Sequence, residues 1–287
     1  MIFAVVTDAV SAQFFFPVWY RYYSAQVGPQ NVYVVTYRES REEFNDFELG
    51  GIEPLPQSYD EDLRWDKISE FVRTLLDNHD IVLRVDVDEF LVPDPDKYSS
   101  LMNFLSGWKG EYLTALGFDL IQSPDEPILD FAKSVLSQRR YAYALAAMNK
   151  TCVTRKPLKW GRGFHYCSSP PQFGDLYLLH TKRADIRMQK DWNDCMREQA
   201  SDDPFVQKYY SWQQEQINLY HSNRFTLPLI EGEESMVRTE FNASFLSQIW
   251  YNESSGLYEG SGSTSGGAAF DIEQVNVRIP DKFRSLF

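Results

Sequence analysis

The chain has 287 residues, a formal net charge of −13, 43% hydrophobic residues and 15% aromatic residues. This length fits one large domain or two small ones, and the apolar content is enough for a packed core. The acidic charge argues against a nucleic-acid partner, because such partners require a basic surface. The three cysteines have no CxxC spacing, so neither a disulfide framework nor a zinc site is indicated. With no basic leader and no apolar run of membrane-spanning length, we expect a cytoplasmic protein without a transmembrane segment.

The first 110 residues alternate strand and helix patterns, which is typical of an α/β unit with a mostly parallel sheet. Strands are predicted over residues 2–6, 32–36 and 52–55, and helices over residues 17–26 and 63–78. The aromatic run over residues 14–20 is interpreted as the buried start of the first helix, with peripheral membrane association as the alternative.

The second half is less regular. Strands are predicted over residues 112–121, 152–154 and 175–183, followed by helical patterns over residues 192–199 and 206–220. Residues 256–267 are rich in Gly and Ser, which favours a flexible linker or loop.

The segment Leu83–Pro93 places three carboxylates inside a stretch that otherwise has the composition of a buried strand. Ionised carboxylates are costly to bury unless a cation compensates them. We therefore predict a strand whose C-terminal end presents Asp86 and Asp88 to a divalent cation. Residues two apart in a strand point to the same face, about 6.6 Å apart. Carboxylate oxygens favour Mg²⁺ or Mn²⁺ over zinc.

Two other acidic motifs fit worse. An EF-hand loop needs an oxygen ligand at its fifth position and Gly at its sixth, where this sequence has Phe90 and Leu91. A haloacid-dehalogenase phosphatase carries its Asp-X-Asp near the N-terminus, followed by Thr or Val, whereas Glu89 follows here.

Polar residues also follow the other predicted strands. Ligands of open α/β sheets bind outside the carboxyl ends of the strands, so one crevice is expected to collect these side chains. The residues concerned are Thr7, Asp8, Thr36, Tyr37, Arg38, Asp86 and Asp88.

The sequence resembles the GT-A glycosyltransferases, and most closely the family 92 and family 2-like group. The similarity rests on a Trp-centred segment over residues 16–23, the signature Asp86-Val87-Asp88-Glu89-Phe90, the element Gly163-Phe164-His165 and a strand ending in His180. It spans about residues 1–185. It departs from the family at Val35-Thr36-Tyr37, where an Asp-Asn pair is frequent.

The resemblance implies a GT-A type α/β fold with a Rossmann-like, mostly parallel sheet flanked by helices. We expect a single domain of this type over residues 1–250, with a nucleotide-binding half (1–110) and an irregular, partly helical acceptor half (111–250). The Gly/Ser content predicts a flexible segment over residues 251–287. The resemblance also implies a nucleotide-sugar donor, expected to be a UDP- or GDP-sugar, with Mn²⁺ or Mg²⁺ on the diphosphate, and a glycan or lipid-linked acceptor. The oligomeric state stays open.

The resemblance also suggests roles for individual residues. Asp88 would bind the metal, with Asp86 on the ribose or on the metal, and His180 as a further metal or diphosphate ligand. His165, Lys182, Arg183 and Arg162 are candidate contacts to the donor. An inverting transfer needs a carboxylate base. The sequence does not choose between Asp119 and Asp175, with Glu89 and Glu126 as weaker candidates.

Two alternative functions remain open. A sugar nucleotidyltransferase normally has a glycine-rich basic loop after its first strand, but residues 7–16 contain no Gly, Lys or Arg. A catalytically silent binding module with the same fold is the other alternative.

Overall fold

The computed structural model describes residues 1–55, 61–199, 204–237, 239–260 and 270–287. Eleven strands of the described chain form one sheet, and two form a separate hairpin. The strands are β1 Phe3–Asp8, β2 Val32–Tyr37, β3 Gly51–Leu55, β4 Ile81–Arg84, β5 Glu89–Pro93, β6 Tyr112–Ile121, β7 Tyr141–Ala144, β8 Thr151–Thr154, β9 Phe173–His180, β10 Leu229–Ile230, β11 Ile249–Asn252, β12 Leu257–Gly260 and β13 Asn276–Arg278. The helices are α1 Phe16–Val27, α2 Glu61–Leu75, α3 Leu101–Gly107, α4 Ile186–Gln199, α5 Pro204–Tyr209, α6 Gln214–Arg224 and α7 Thr239–Ser247.

The predicted α/β class is confirmed. Strands β3, β2, β1 and β4 lie side by side and run parallel, and their carboxyl ends therefore face the same edge. Helix α1 ends where the sequence predicts, because Gly28 adopts a φ of 84° and its N–H donates to the carbonyl of Ser24. Beyond β4 the sheet is mixed, with β8 antiparallel to both β4 and β6.

The aromatic run at the start of α1 belongs to the core. Phe15, Phe16 and Trp19 are buried, and Phe16 packs edge-on against Phe44 with ring centroids 4.8 Å apart. The prediction of a buried helix start is thus confirmed. Among the described helices, none is both long enough and apolar enough to cross a bilayer.

The acidic segment is two strands rather than one. Strand β4 ends at Arg84, and the chain turns through residues 85–88 before β5 begins at Glu89. The predicted same-face strand geometry of Asp86 and Asp88 is therefore wrong, because both lie in the turn. Strand β5 then pairs with β9 instead of continuing beside β1.

The C-terminal third also differs from its prediction. The helical pattern over residues 206–220 is split into α5 and α6 by a turn, and Gln213 and Gln216 close a reciprocal capping box at the start of α6. Residues 251–287 were expected to be flexible, but β13 pairs with β7 in the main sheet, and the ring of Phe287 stacks on Phe90 at 4.1 Å. Most of the Gly/Ser-rich part, residues 261–269, lies outside the described residues.

Candidate functional site

A cavity of about 330 Å³ opens at the carboxyl ends of the parallel strands. Asp8 at the end of β1, Tyr37 at the end of β2, Asp86 and Asp88 in the turn after β4, and His180 at the end of β9 all line it. The structure thus brings together side chains that the strand-end argument expected to meet.

The cavity is rich in cations. Among the described residues, its lining includes three carboxylates, from Asp8, Asp86 and Asp88, and a larger set of cationic side chains. These cations are Arg64, Lys150, Arg162, Lys182 and Arg183. A cavity with this excess of positive charge, inside a chain of net charge −13, suits an anionic ligand.

Asp86 is compensated by cations of the protein itself. Its Oδ1 accepts from Arg84 Nη2 at 2.5 Å and lies 3.6 Å from Arg64 Nη2, and its Oδ2 accepts from Lys150 Nζ at 2.6 Å. Burial alone would raise the pKa of Asp86, but the charges of Arg84, Lys150 and Arg64 lower it well below its usual range. We call Asp86 and its partners Arg64, Arg84, Lys150 and Glu89 the Asp86 cluster.

Glu89 stabilises the other members of this cluster from the protein interior and does not line the cavity. Its side chain is fully buried, Oε1 accepts from Lys150 Nζ at 2.5 Å, and Oε2 accepts from the backbone N–H of Asp86 at 2.9 Å. Burial and the neighbouring Asp86 charge raise the pKa of Glu89. Glu89 therefore fixes the acidic turn rather than facing a ligand.

Asp88 has a histidine partner instead. His180 Nε2 lies 3.1 Å from Asp88 Oδ2, and His180 Nδ1 lies 2.8 Å from Asp119 Oδ1. Arg183 in turn donates to Asp119 Oδ2. We call Asp88, His180, Asp119 and Arg183 the Asp88 cluster.

Strand register assembles the Asp88 cluster. Strand β9 lies between β5 and β6, and its last residue, His180, is opposite Glu89 in the antiparallel pair and opposite Asp119 in the parallel pair. The backbone N–H of Thr181 also donates to the carbonyl of Asp88 at 2.7 Å, which holds the acidic turn against the end of β9.

The two carboxylates set the protonation state of His180. Burial would lower its pKa, but the charges of Asp88 and Asp119 outweigh burial and raise it to about 10. Burial would raise the pKa of Asp119, but Arg183 and His180 lower it to about 2. Asp119 is an ionised, fully buried carboxylate behind His180, so it orients the imidazole and does not reach the cavity.

His165 lines the same cavity with the opposite protonation state. Its Nδ1 lies 2.6 Å from the carbonyl oxygen of Ala147, which can only accept, so Nδ1 carries the proton and Nε2 is left as an acceptor. Burial and the charge of Lys150 lower the pKa of His165 to about 3. Gly163, with a φ of 62°, gives the turn that precedes it.

The remaining predicted residues have other surroundings. The buried hydroxyl groups of Thr7 and Thr36 donate to the backbone carbonyls of Asp8 and Ala9, and neither residue lines the cavity. Asp175 lies near the opposite end of β9 from His180 and pairs with Lys97 at 2.9 Å. The side chain of Arg38 is outside the described part of the structure.

Two cations of the Asp86 cluster, Lys150 and Arg64, come from other elements of the fold and were not predicted from the sequence. Lys150 immediately precedes β8, and Arg64 lies in the first turns of α2 and also pairs with Asp8 at 2.5 Å. The available signal was electrostatic: a buried acidic turn requires nearby cations. No local pattern distinguishes these two from other basic residues.

The donor atoms allow a test of the predicted metal site. A carboxylate oxygen is a suitable ligand for Mn²⁺ or Mg²⁺, whereas an imidazole nitrogen is tolerated by Mn²⁺ more readily than by Mg²⁺, so the adjacent side chains of Asp88 and His180 suit Mn²⁺ better. Both oxygens of Asp86 already contact cations. Within the described residues, no three His, Cys, Asp or Glu side chains are grouped closely enough to hold a metal by themselves. The residues therefore fit a cation held by Asp88 and His180 and completed by ligand or water oxygens.

Comparisons with known proteins do not identify a family. No family model and no curated protein matches the chain. Among solved structures, "mannose-1-phosphate geranyltransferase" from Thermus thermophilus aligns over 99% of this chain and 76% of its own, with 10% identity and a TM-score of 0.31. TarS 1-349 of S. aureus aligns over 70% of this chain and 65% of its own, with 12% identity and a TM-score of 0.29. A 4-diphosphocytidyl-2C-methyl-D-erythritol synthase from Anaerococcus prevotii aligns over 45% of this chain and 58% of its own, with 12% identity and a TM-score of 0.27. Similarities this distant carry no argument about function.

Proposed function

We propose that the protein is a metal-dependent glycosyltransferase of the GT-A type, which moves a sugar from a nucleotide-sugar to a carbohydrate or lipid-linked acceptor. The observation that carries this proposal is the pair formed by Asp88 and His180, with Nε2 and Oδ2 3.1 Å apart in a cation-rich cavity. The position of this cavity, at the carboxyl ends of parallel strands, supports a nucleotide ligand.

Asp88 and His180 are the residues that would hold Mn²⁺ or Mg²⁺. Such a cation stabilises the negative charge that develops on a departing nucleoside diphosphate. His180 coordinates a cation only through a neutral Nε2, so the proton of that atom must leave when the site is loaded. Asp119 accepts a hydrogen bond from Nδ1, which keeps the ring oriented and directs Nε2 toward Asp88.

Lys182 is the candidate contact for the diphosphate. Only 6% of this residue is exposed, and in the described part of the chain no carboxylate lies within ion-pair distance of its ammonium group. The ammonium lies over the rings of Tyr209 and Tyr210, 4.5 and 4.2 Å from their centroids. A buried ammonium without an anion is costly, and a diphosphate oxygen would compensate it.

Asp8 and Tyr37 are the candidate contacts for the nucleoside, because they line the cavity from the ends of β1 and β2.

The carboxylates predicted as the catalytic base give less support to the proposed sugar transfer. Glu89 and Asp119 are fully buried, and Asp175 is near the far end of β9. The proposal therefore covers sugar transfer with either stereochemical outcome.

Calorimetric titration with a panel of nucleoside diphosphates, with and without Mn²⁺, tests this function. We expect binding of UDP or GDP that requires the cation, and slow release of nucleoside diphosphate from the matching nucleotide-sugar. Absence of metal-dependent nucleotide binding at millimolar concentration would refute the proposal. Binding without hydrolysis or transfer would instead indicate a silent binding module.

A sugar nucleotidyltransferase is the second candidate function. The fold provides one observation in its favour that the sequence did not. Although residues 7–16 lack basic residues, Arg64 and Lys150 bring positive charge into the cavity from α2 and from the start of β8. Incubation with sugar 1-phosphates and nucleoside triphosphates separates the candidates, because only a nucleotidyltransferase would release pyrophosphate.

A further inference from the structure

A second cavity, of about 350 Å³, adjoins the first beyond the end of β9. Lys182, Arg183 and Tyr209 line both cavities and form the wall between them. Helix α4 contributes Gln189 and Asn193 to the second cavity. The end of α5 and the following turn contribute Lys208 and Trp212.

The charge of this cavity is one-sided. Its lining includes Lys182, Arg183 and Lys208, and no carboxylate is found among the described residues that line it. Arg183 is committed to Asp119, but Lys182 and Lys208 make no ion pair in the described parts of the chain. In a chain of net charge −13, such a surface fits a negatively charged group.

The polar groups of α4 point to the same kind of ligand. Gln189 Oε1 lies 3.3 Å from Nε2 of His221, and burial lowers the pKa of that histidine to about 4, so the imidazole is neutral. The Gln189 amide nitrogen makes no hydrogen bond within the described structure and is available as a donor. Asn193 Oδ1 also has no partner among the described residues, and as an acceptor it suits a hydroxyl group of the ligand and not its anionic group.

Trp212 and Tyr209 add an aromatic component. Trp212 is half-buried, and half of the surface of Tyr209 is exposed. Aromatic faces beside a few polar groups are typical of sites that orient a small ligand by its apolar surface. The C–H face of a sugar ring can stack on such a side chain while its charged group meets Lys208, which lines only the second cavity.

We propose that the second cavity binds the acceptor, and that this acceptor is a saccharide carrying an anionic group, either a phosphate or a carboxylate. The role as acceptor rests on the proposed function, whereas the affinity for an anionic sugar does not. The shared wall places such a ligand next to the donor cavity, as transfer between the two requires.

Glucose 6-phosphate, glucuronate and glucose are the probes, titrated into the full chain by calorimetry or ligand-observed NMR, with and without nucleoside diphosphate and Mn²⁺. We expect one or both anionic sugars to bind, and neutral glucose to bind at least about tenfold more weakly. Preference for glucose 6-phosphate would identify a phosphate-bearing ligand, and preference for glucuronate a carboxylate-bearing one. Either preference supports the proposal.

Matched variants localise the site. Lys208→Gln should weaken binding of the anionic sugar roughly fivefold to tenfold, because it removes one charge-assisted contact. Trp212→Ala should weaken it as well. Lys109→Gln, which removes a charge from an exposed residue outside both cavities, should have no effect. The affinity for nucleoside diphosphate should stay unchanged in all three.

The inference would be overturned by glucose binding as tightly as its anionic relatives, by no binding of any of the sugars, or by Lys208→Gln behaving like Lys109→Gln. Inorganic phosphate binding as tightly as glucose 6-phosphate, with no effect of Trp212→Ala, would also overturn it, since the sugar ring would then contribute nothing. Failure of the proposed function appears separately, as absence of metal-dependent nucleotide binding in a chain that still binds the anionic sugar.

Discussion

Asp86 and Asp88 are two residues apart in the chain, but their negative charges are compensated by different kinds of cation. Asp86 contacts two permanent cations, Arg84 and Lys150, and its negative charge compensates their positive charges. Asp88 contacts His180, a cation that can become neutral. The first arrangement is suited to holding the turn in place. The second is suited to exchanging a proton for a metal ion.

The largest expected effect is on stability, and it comes from the Asp86 cluster. Asp86→Asn leaves Arg84 and Lys150, which are 1% and 3% exposed, with less anionic compensation. Removing one partner of a buried ion pair is strongly destabilising, so we expect the free energy of unfolding to fall by about 3 kcal/mol. Urea denaturation measures it. The control is Asp66→Asn on the exposed face of α2. Equal unfolding midpoints for the two variants would show that the cluster is not structural.

The next effect is on metal-dependent affinity, and it should come from the Asp88 cluster. His180→Ala should weaken Mn²⁺-dependent binding of nucleoside diphosphate roughly 10- to 100-fold. Asp88→Asn should abolish it, because the carboxylate is the anionic ligand of the pair. Circular dichroism should remain native in both. A His180→Ala protein that binds and turns over normally but melts much earlier would mark the histidine as purely structural.

A smaller effect is expected from Asp119, which contacts the proposed metal ligand His180. Asp119→Asn keeps the shape of the side chain but removes the charge that orients His180 through Nδ1. We expect about tenfold weaker metal-dependent binding. Nucleotide affinity measured without metal should change little, and this contrast separates an effect on the imidazole from general unfolding. Equal losses with and without metal would contradict the assigned role.

The last effect concerns pH and distinguishes the two histidines of the cavity. The pKa of His165 is lowered in the folded chain, to about 3 against an ordinary value of 6.5, so the unfolded chain binds a proton first as pH falls. The corresponding stability is present above pH 6.5 and is lost progressively as the pH falls toward 3. In His165→Asn, the free energy of unfolding should therefore decline less steeply over this range. An unchanged slope in parallel urea titrations would contradict a neutral His165 in the folded chain.

Much of the N-terminal part of the fold was predictable because its signals are local. Hydrophobic runs predicted β1 and β2, and a glycine predicted the end of α1. Strand β6 occupies the predicted residues, Tyr112–Ile121. The rule that ligands bind at the carboxyl ends of strands also predicted that one crevice would collect Asp8, Tyr37, Asp86 and Asp88. This rule uses no information on which strands pair in the sheet. Thr7 and Thr36, which the same rule names, do not line this cavity, and their buried hydroxyl groups donate to backbone carbonyls.

The sequence by itself determined the α/β class, the position of the acidic turn and the fact that its carboxylates need cations. Only the tertiary structure decided which cations these are. Lys150 lies 64 residues from Asp86, and His180 lies 92 residues from Asp88. Local periodicity sets which residues form a strand, but the register of β9 between β5 and β6 depends on packing of the whole sheet. That register places His180 between Asp88, which lines the cavity, and Asp119, which is buried behind the imidazole.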